Sequence, residues 1–198
     1  MNLHENTPIH PDAPLIHEPQ AQNLRGQKLE EHMKHTVFTP LMKAVVVGCV
    51  LGDGHLHSSG KHYGMCLKVE QKASNAPYVD ALYAVFAPMV GTPPQVYTKN
   101  GKEHRNPSYS ALQSKPVYDG LRSYWFRTYR STHLAFFAKV FYTMENGARR
   151  KIVPKLIHRW MTAVSLAVWY MDDGTKTRSS YVLNTHSFYV HEQKLLQK

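Results

Sequence analysis

Asp53 and Asp173 each close a run of apolar residues and precede a glycine, in "VVVGCVLGDG" (45–54) and "SLAVWYMDDG" (165–174). Both runs read as helices that stop at Asp-Gly. A carboxylate at a helix C-terminus faces the negative end of the helix dipole, which costs roughly 0.3–1 kcal/mol. If the two helices pack through small residues, Gly48 and Gly52 on one and Ala163 and Ala167 on the other, the two carboxylates meet at one end. Neighbouring carboxylates repel unless a cation lies between them. An oxygen-only donor set of this kind suits Mg²⁺. A single Asp-Gly after a helix is an ordinary stop signal. Its recurrence within a repeat points to chemistry.

The elements that must position these acids follow from local pattern. Thr39 caps and Pro40 opens the first signature helix, which has no polar face and so must be covered on more than one side. "YGMCLKVEQK" (63–72) alternates as a half-buried strand, and Asn75 and Pro77 open a helix with Tyr78, Leu82, Val85, Phe86 and Met89 at helical spacing. Extended stretches are expected near 95–99, 108–114 and 121–130, and a helix near 133–142. After the basic loop "ENGARRKIVP" the pattern restarts at low identity: an apolar helix to Asp173, a turn, a strand and the start of a helix. In this repeat Asp173 lies 120 residues after Asp53, and "VEQKA" matches "NTHSF", pairing Gln71 with His186. The division expected is a flexible polar leader over 1–39, a first unit over 40–155, and a second, incomplete unit over 156–198.

Composition excludes several classes. The chain of 198 residues carries a net charge of +10 and is 42% hydrophobic, enough for a packed core. Its two cysteines, Cys49 and Cys66, make neither a disulfide scaffold nor a CxxC-type zinc site. No apolar stretch reaches the ~18 residues of a membrane span. The His- and Pro-rich leader resembles neither a secretory signal nor a transit peptide, so if the protein works inside an organelle it is expected to be made there. Residues 1–43 sum to −1, whereas thirteen bases face three acids between Tyr97 and Arg159. A basic block of that density fits a polyanionic partner, whose counterions it releases on binding. His55, His57 and His62 with Cys66 lack the spacing of a tetrahedral zinc site.

The strings "VVGCVLGDG" (46–54) and "LAVWYMDDG" (166–174) resemble the two signatures of the LAGLIDADG homing endonucleases. "GDGHL", "EQK", "FYTMENGARRKIVPKLI" and "WYMDDG…LNTHSF" are similar to the branch found in organellar group I introns. The likeness runs from Leu41 to Lys198, and two signatures in one chain imply the single-chain form. It implies an α+β fold of two pseudo-symmetric αββαββα units packed through the signature helices, each with a four-stranded sheet lying on DNA in the major groove. The second unit has 37 residues from Thr162 and so is truncated by comparison, which leaves a monomer or a dimer open.

The resemblance also implies site residues. The last acid of each signature binds metal, here Asp53 and Asp173, assisted by the backbone carbonyls of Gly52 and Asp172. A polar or basic residue follows on the next strand, matching Gln71 or Lys72. The second unit has His186 and Ser187 there, so Arg127 or Arg130 is a candidate for its basic group. On the strand 121–130, Arg122, Tyr124, Phe126, Thr128 and Arg130 alternate with Ser123, Trp125, Arg127 and Tyr129. Alternation leaves open which set meets DNA, and Arg127 and Tyr129 are expected in the groove. Lys99, Lys102 and Arg105 are expected on phosphates or base edges. The activity implied is Mg²⁺-dependent double-strand cleavage of a long DNA target that initiates intron homing, in a chloroplast or mitochondrion. The alternatives are an RNA maturase acting on its own group I intron, and an inactive relic.

Overall fold

The computed structural model describes residues 23–58, 64–98, 103–104 and 121–197. Helix α1 (Gly26–His35) is followed by α2 (Pro40–Leu51), whose N-terminus is capped by Thr39 Oγ1 accepting from the Met42 N–H at 3.1 Å. Val45, Val46, Val47, Cys49, Val50 and Leu51 are all buried, so α2 is the central element of the core. On one side lies an antiparallel sheet, ordered β1 (His55–His57), β2 (Cys66–Lys72), β5 (Leu121–Arg127), β3 (Gln95–Thr98) and β4 (Glu103–His104). This sheet has five strands where four were expected, because Gln95–Thr98 and Glu103–His104 pair with each other beyond β5.

Strands β2 and β5 set which side chains face inward. Val69 is opposite Phe126 and Gln71 opposite Tyr124, with Leu67 and Val96 on the same, buried face. Helix α3 (Ala76–Val85) covers this face, Tyr83 meeting Phe126 edge-on at 5.6 Å. Helix α4 (Thr132–Phe141) is capped by Ser131 Oγ, which accepts from the His133 N–H. The chain then turns through β6 (Tyr142–Glu145) and β7 (Ala148–Lys151), where a basic loop was expected. Asn146 and Gly147 have φ of +52° and +77°, the pair of positive angles that a tight two-residue hairpin turn needs.

Helix α5 (Ala163–Asp173) packs across α2. A Cβ built on Gly48 would lie 2.5 Å from the Ser165 carbonyl oxygen, and one on Gly52 2.5 Å from Asp172 Cβ. Both glycines therefore sit at the closest approach of the helices. The facing residues on α5 are Ser165, Val168, Trp169 and Asp172, spaced for one face. Ala163 and Ala167 are exposed, contrary to expectation: they lie two residues, about 200° around the helix, from that face. Val164, Leu166 and Met171 are exposed with them. A hairpin of β8 (Gly174–Lys176) and β9 (Tyr181–Leu183) follows, then the short helix α6 (Val190–Gln193). Glu192 of α6 is buried and bonds Arg150 of β7 at 2.9 and 3.3 Å.

The expected leader is in part structured. Leu29 and Met33 of α1 turn inward, the His32 ring donates to the Pro88 carbonyl at 2.7 Å, and Phe38 stacks on His133 at 5.0 Å. The i, i+4 pair Leu29 and Met33 was the sequence signal for this helix. The stretch expected to be extended at 108–114 lies outside the described residues. Among the described residues no single helix is long and apolar enough to cross a membrane.

Candidate active site at the helix ends

Antiparallel pairing puts Gln71 on the buried face of β2, at its last turn toward α3, where the C-termini of α2 and α5 meet. Its carboxamide donates from Nε2 to Asp53 Oδ2 at 3.1 Å and to Asp172 Oδ1 at 3.3 Å. Tyr78 of α3 donates its hydroxyl to the same Asp172 oxygen at 2.8 Å. Lys151, the last residue of β7, donates from Nζ to the Gly52 carbonyl at 2.5 Å. Residues far apart in the chain thus converge on the end of α2: an exposed carboxylate, a half-buried one, a carboxamide, a phenol and an ammonium group.

Lys151 reaches this point because its hairpin is fastened on both edges. The Leu56 N–H donates to Tyr142 Oη at 3.1 Å and Arg149 donates to the Leu56 carbonyl at 2.6 Å, joining the hairpin to β1. Arg150 points the other way, to Glu145 and Glu192. Alternation along β7 leaves Lys151 aimed at the helix ends.

The electrostatics are those of a crowded carboxylate site. Burial raises the Asp172 pKa to about 7; the Asp53 charge adds to the rise, while the Tyr78 hydroxyl, the Asp53 N–H and Lys151 hold it back. Burial lowers the Lys151 pKa, against the attraction of Asp53, Asp172 and Asp173, and brings the amine nearer to the range where it exchanges protons. Burial and the Asp172 carboxylate push the Tyr78 hydroxyl far above its ordinary value, so it serves as a neutral donor.

The donor set bears on a metal ion. Among the described residues no three His, Cys, Asp or Glu side chains form a ready-made metal cluster. The oxygens present nevertheless fit a hard divalent cation that keeps most of its water. Asp53 is exposed, and Asp172 Oδ2 is buried without a hydrogen-bond partner beside it. Carboxylate and carbonyl oxygens with open positions are what Mg²⁺ takes. The Gly52 carbonyl, one of the expected ligands, is already engaged by Lys151. Asp173 ends α5 next to Asp172, and its carbonyl accepts from the Asn184 N–H at 3.3 Å.

The remaining expected residues divide. Lys72 is exposed at the end of β2, on the face opposite Gln71. His186, expected on a strand in register with Gln71, is exposed in a turn after β9. Arg127 shares the open face of the sheet with Lys68, Glu70, Lys72, Ser123 and Trp125. There Lys68 bonds Glu70 at 2.6 Å and lies 5.0 Å over the Trp125 ring, which stacks on Tyr97. Arg122 is exposed on the other alternation of β5, while Arg130 lies beyond the strand and bonds Cys66. Tyr129, expected on the same face as Arg127, does not share it: the chain has left β5, and its hydroxyl packs over Gly91 and donates to the Leu24 carbonyl at 3.2 Å. Lys99, Lys102 and Arg105 lie outside the described residues. Lys151, Tyr78 and the Asp172 side chain were missed as site residues. The Asn-Gly pair at 146–147 was the signal that could have found Lys151, by turning the expected loop into a hairpin with a defined end.

Comparison with known proteins gives the lineage. A protein named "Probable intron-encoded endonuclease 1" from Wickerhamomyces canadensis is 29% identical over 168 residues, 81% of this chain and 64% of that protein. The cytochrome b mRNA maturase bI2 of Saccharomyces cerevisiae is 24% identical over 148 residues, 73% of this chain and 32% of that protein. The chain therefore spans less than two thirds of either relative. A solved structure described as the homing endonuclease I-WcaI bound to its DNA recognition sequence shares the α+β fold, with a TM-score of 0.66 at 22% identity over 89% of this chain and 74% of that one. Residues 43–198, from within α2 to the end, match the model of the LAGLIDADG DNA endonuclease family, and the chain belongs to that family.

Proposed function

We propose that the protein is a site-specific, metal-dependent DNA endonuclease encoded by an organellar intron, cutting both strands of a long target to initiate homing. The observation that carries this reading is the Lys151 ammonium seated on the Gly52 carbonyl between flanking carboxylates. Carboxylates at helix ends without a cation are a liability, and a lysine seated among them is placed to offset their charge and to give a proton to a group bound there. The open sheet face, with Arg127, Lys68 and Lys72, supports DNA as the partner, phosphates holding the duplex and base edges being read by side chains.

In this reading Asp53 and Asp173, with the Asp172 carbonyl, would hold the divalent cation. The Gly52 carbonyl would join them only after releasing Lys151, and Asp172 Oδ2, which has no hydrogen-bond partner, is a further oxygen at the same place. When bound, Mg²⁺ polarises the scissile phosphate and lowers the pKa of water. Gln71, donating to Asp53, orients that carboxylate and water beside it. Lys151, released from Gly52, would offer its ammonium to the phosphate oxygens as charge develops and give a proton to the leaving 3′ oxygen, ending as the neutral amine, while the attacking water loses its proton to solvent.

The test is cleavage of a duplex carrying the intronless insertion sequence of the host gene, in Mg²⁺ and in EDTA. A double-strand cut is expected in Mg²⁺ alone, lost in Asp53→Asn and Asp173→Asn. Lys151→Met is expected to slow it by about 10²–10³-fold, as for loss of a well-placed catalytic group. A cut that survives EDTA, or that all three variants retain, refutes the mechanism. The similarity to a maturase supports a second reading, assistance to RNA splicing. Tight binding of the intron RNA with no cut under any condition would favour it.

A further inference from the structure

We propose that Tyr78 and Asp172 are positioning residues that lock the Gln71 carboxamide onto Asp53, so that the second signature helix serves the strand residue of the first unit. The inference rests on the endonuclease reading for its catalytic consequence, but not for the restraint itself. A glutamine side chain has three rotatable torsions, and productive orientation of a small polar group tolerates errors of only ~0.5 Å. Gln71 is held at every polar atom that matters. Its Nε2 is shared between Asp53 and Asp172, and its Oε1 accepts from Asn75 Nδ2 at 3.5 Å, which fixes which end of the amide faces the acids.

Asp172 is in turn held by Tyr78, whose hydroxyl donates to Oδ1 at 2.8 Å and lies 3.2 Å from the Val168 carbonyl. A carboxylate at a helix–helix contact is costly to bury, and an apolar side chain would pack there more favourably. The fold makes room for it. At the matching place of the repeat the first signature has Gly52, and a Cβ there would collide with Asp172 Cβ at 2.5 Å. Glycine in one helix and aspartate in the other thus form a single device: absence of a side chain in α2 admits the carboxylate of α5. Its Oδ1 is committed to Tyr78 and Gln71, while Oδ2 has no hydrogen-bond partner.

The test uses the full chain with Tyr78→Phe, Gln71→Ala and the double variant. Single-turnover cleavage of the insertion-site duplex at saturating protein isolates the chemical step. Tyr78→Phe is expected to slow it about fivefold, the loss typical of one hydrogen bond, with duplex affinity in Ca²⁺ unchanged. In the Gln71→Ala background the same substitution is expected to do almost nothing further. Independent, multiplying losses would overturn the proposal, since Tyr78 would then act by another route. Side-chain amide NMR of Gln71 tests the restraint without cleavage. The carboxamide is expected to be rigid in the native chain and released in Tyr78→Phe. A Gln71 amide as mobile in the native chain as that of exposed Gln27 overturns the proposal, whether or not the protein cuts. Native protein that does not cut, with Gln71 rigid and released by Tyr78→Phe, removes the endonuclease reading and leaves the clamp standing.

Discussion

Replacing Gly48 with alanine sets two effects of opposite sign against each other. Within an isolated helix, alanine is favoured over glycine by roughly 1 kcal/mol. At this position the new methyl group would lie 2.5 Å from the Ser165 carbonyl oxygen and 2.7 and 2.8 Å from Val168 Cβ and Cγ1. Ordinary contact begins near 3.4 Å, so α5 must withdraw by about 0.9 Å. The closest atom is backbone, and no rotamer change relieves it. Overpacking of this kind costs about 1–3 kcal/mol. With a backbone atom and a β-branched side chain both overlapped, the upper end applies, for a net loss of about 2 kcal/mol. For a chain of this size that lowers Tm by about 4–8 °C. The same displacement moves Asp172 away from Gln71 and Asp53, and a shift near 1 Å costs on the order of 10²-fold in rate. Calorimetry or circular dichroism reads the first effect, and cleavage of the insertion-site duplex the second. A Gly48→Ala protein that melts at or above the native temperature would refute the close crossing of the helices, because propensity would then be acting alone.

Glu192 offers a pH test. Burial alone would raise its pKa, but the Arg150 guanidinium and the Tyr189 N–H outweigh burial and hold it below the ordinary carboxylate value. Its contribution to stability is therefore present above the unfolded value and lost as pH falls through the lowered folded value. Glu192→Gln is expected to cost about 2 kcal/mol at pH 7, less than the roughly 3–5 kcal/mol of a fully buried broken pair, because Arg150 is partly exposed and keeps Glu145. That gap should narrow as pH falls below the ordinary carboxylate range and Glu192 takes up its proton; a constant gap across the acid range would contradict the ion pair. Cys49 is fully enclosed, and burial together with the Asp172 and Asp53 charges pushes its thiol well above its ordinary value. At pH 8 a thiol reagent should modify Cys49 only on global unfolding, and rapid labelling of Cys49 in the native protein would be inconsistent with the packing of α2.

The sequence by itself determined what depends on near neighbours. Thr39 and Pro40 start α2 whatever surrounds it, because a cap acts within one turn. A helix with no polar face announced that it would be enclosed, and two Asp-Gly stops in a repeat marked the acids. Alternation along Cys66–Lys72 and Leu121–Arg127 limited the sheet faces to two choices. Only the tertiary structure chose between them, since the period of a strand is two and either set can face the core. The same holds for α5, where the choice of Ser165, Val168, Trp169 and Asp172 over Ala163 and Ala167 rests on where α2 lies, not on residue size. Lys151 stands about 80–100 residues from Gln71 and Gly52, and Asp172 stands 101 from Gln71. Such contacts have no local signal, because the free energy that makes them comes from packing elsewhere: a hairpin fastened to β1 and α6, and a glycine that lets two helices touch.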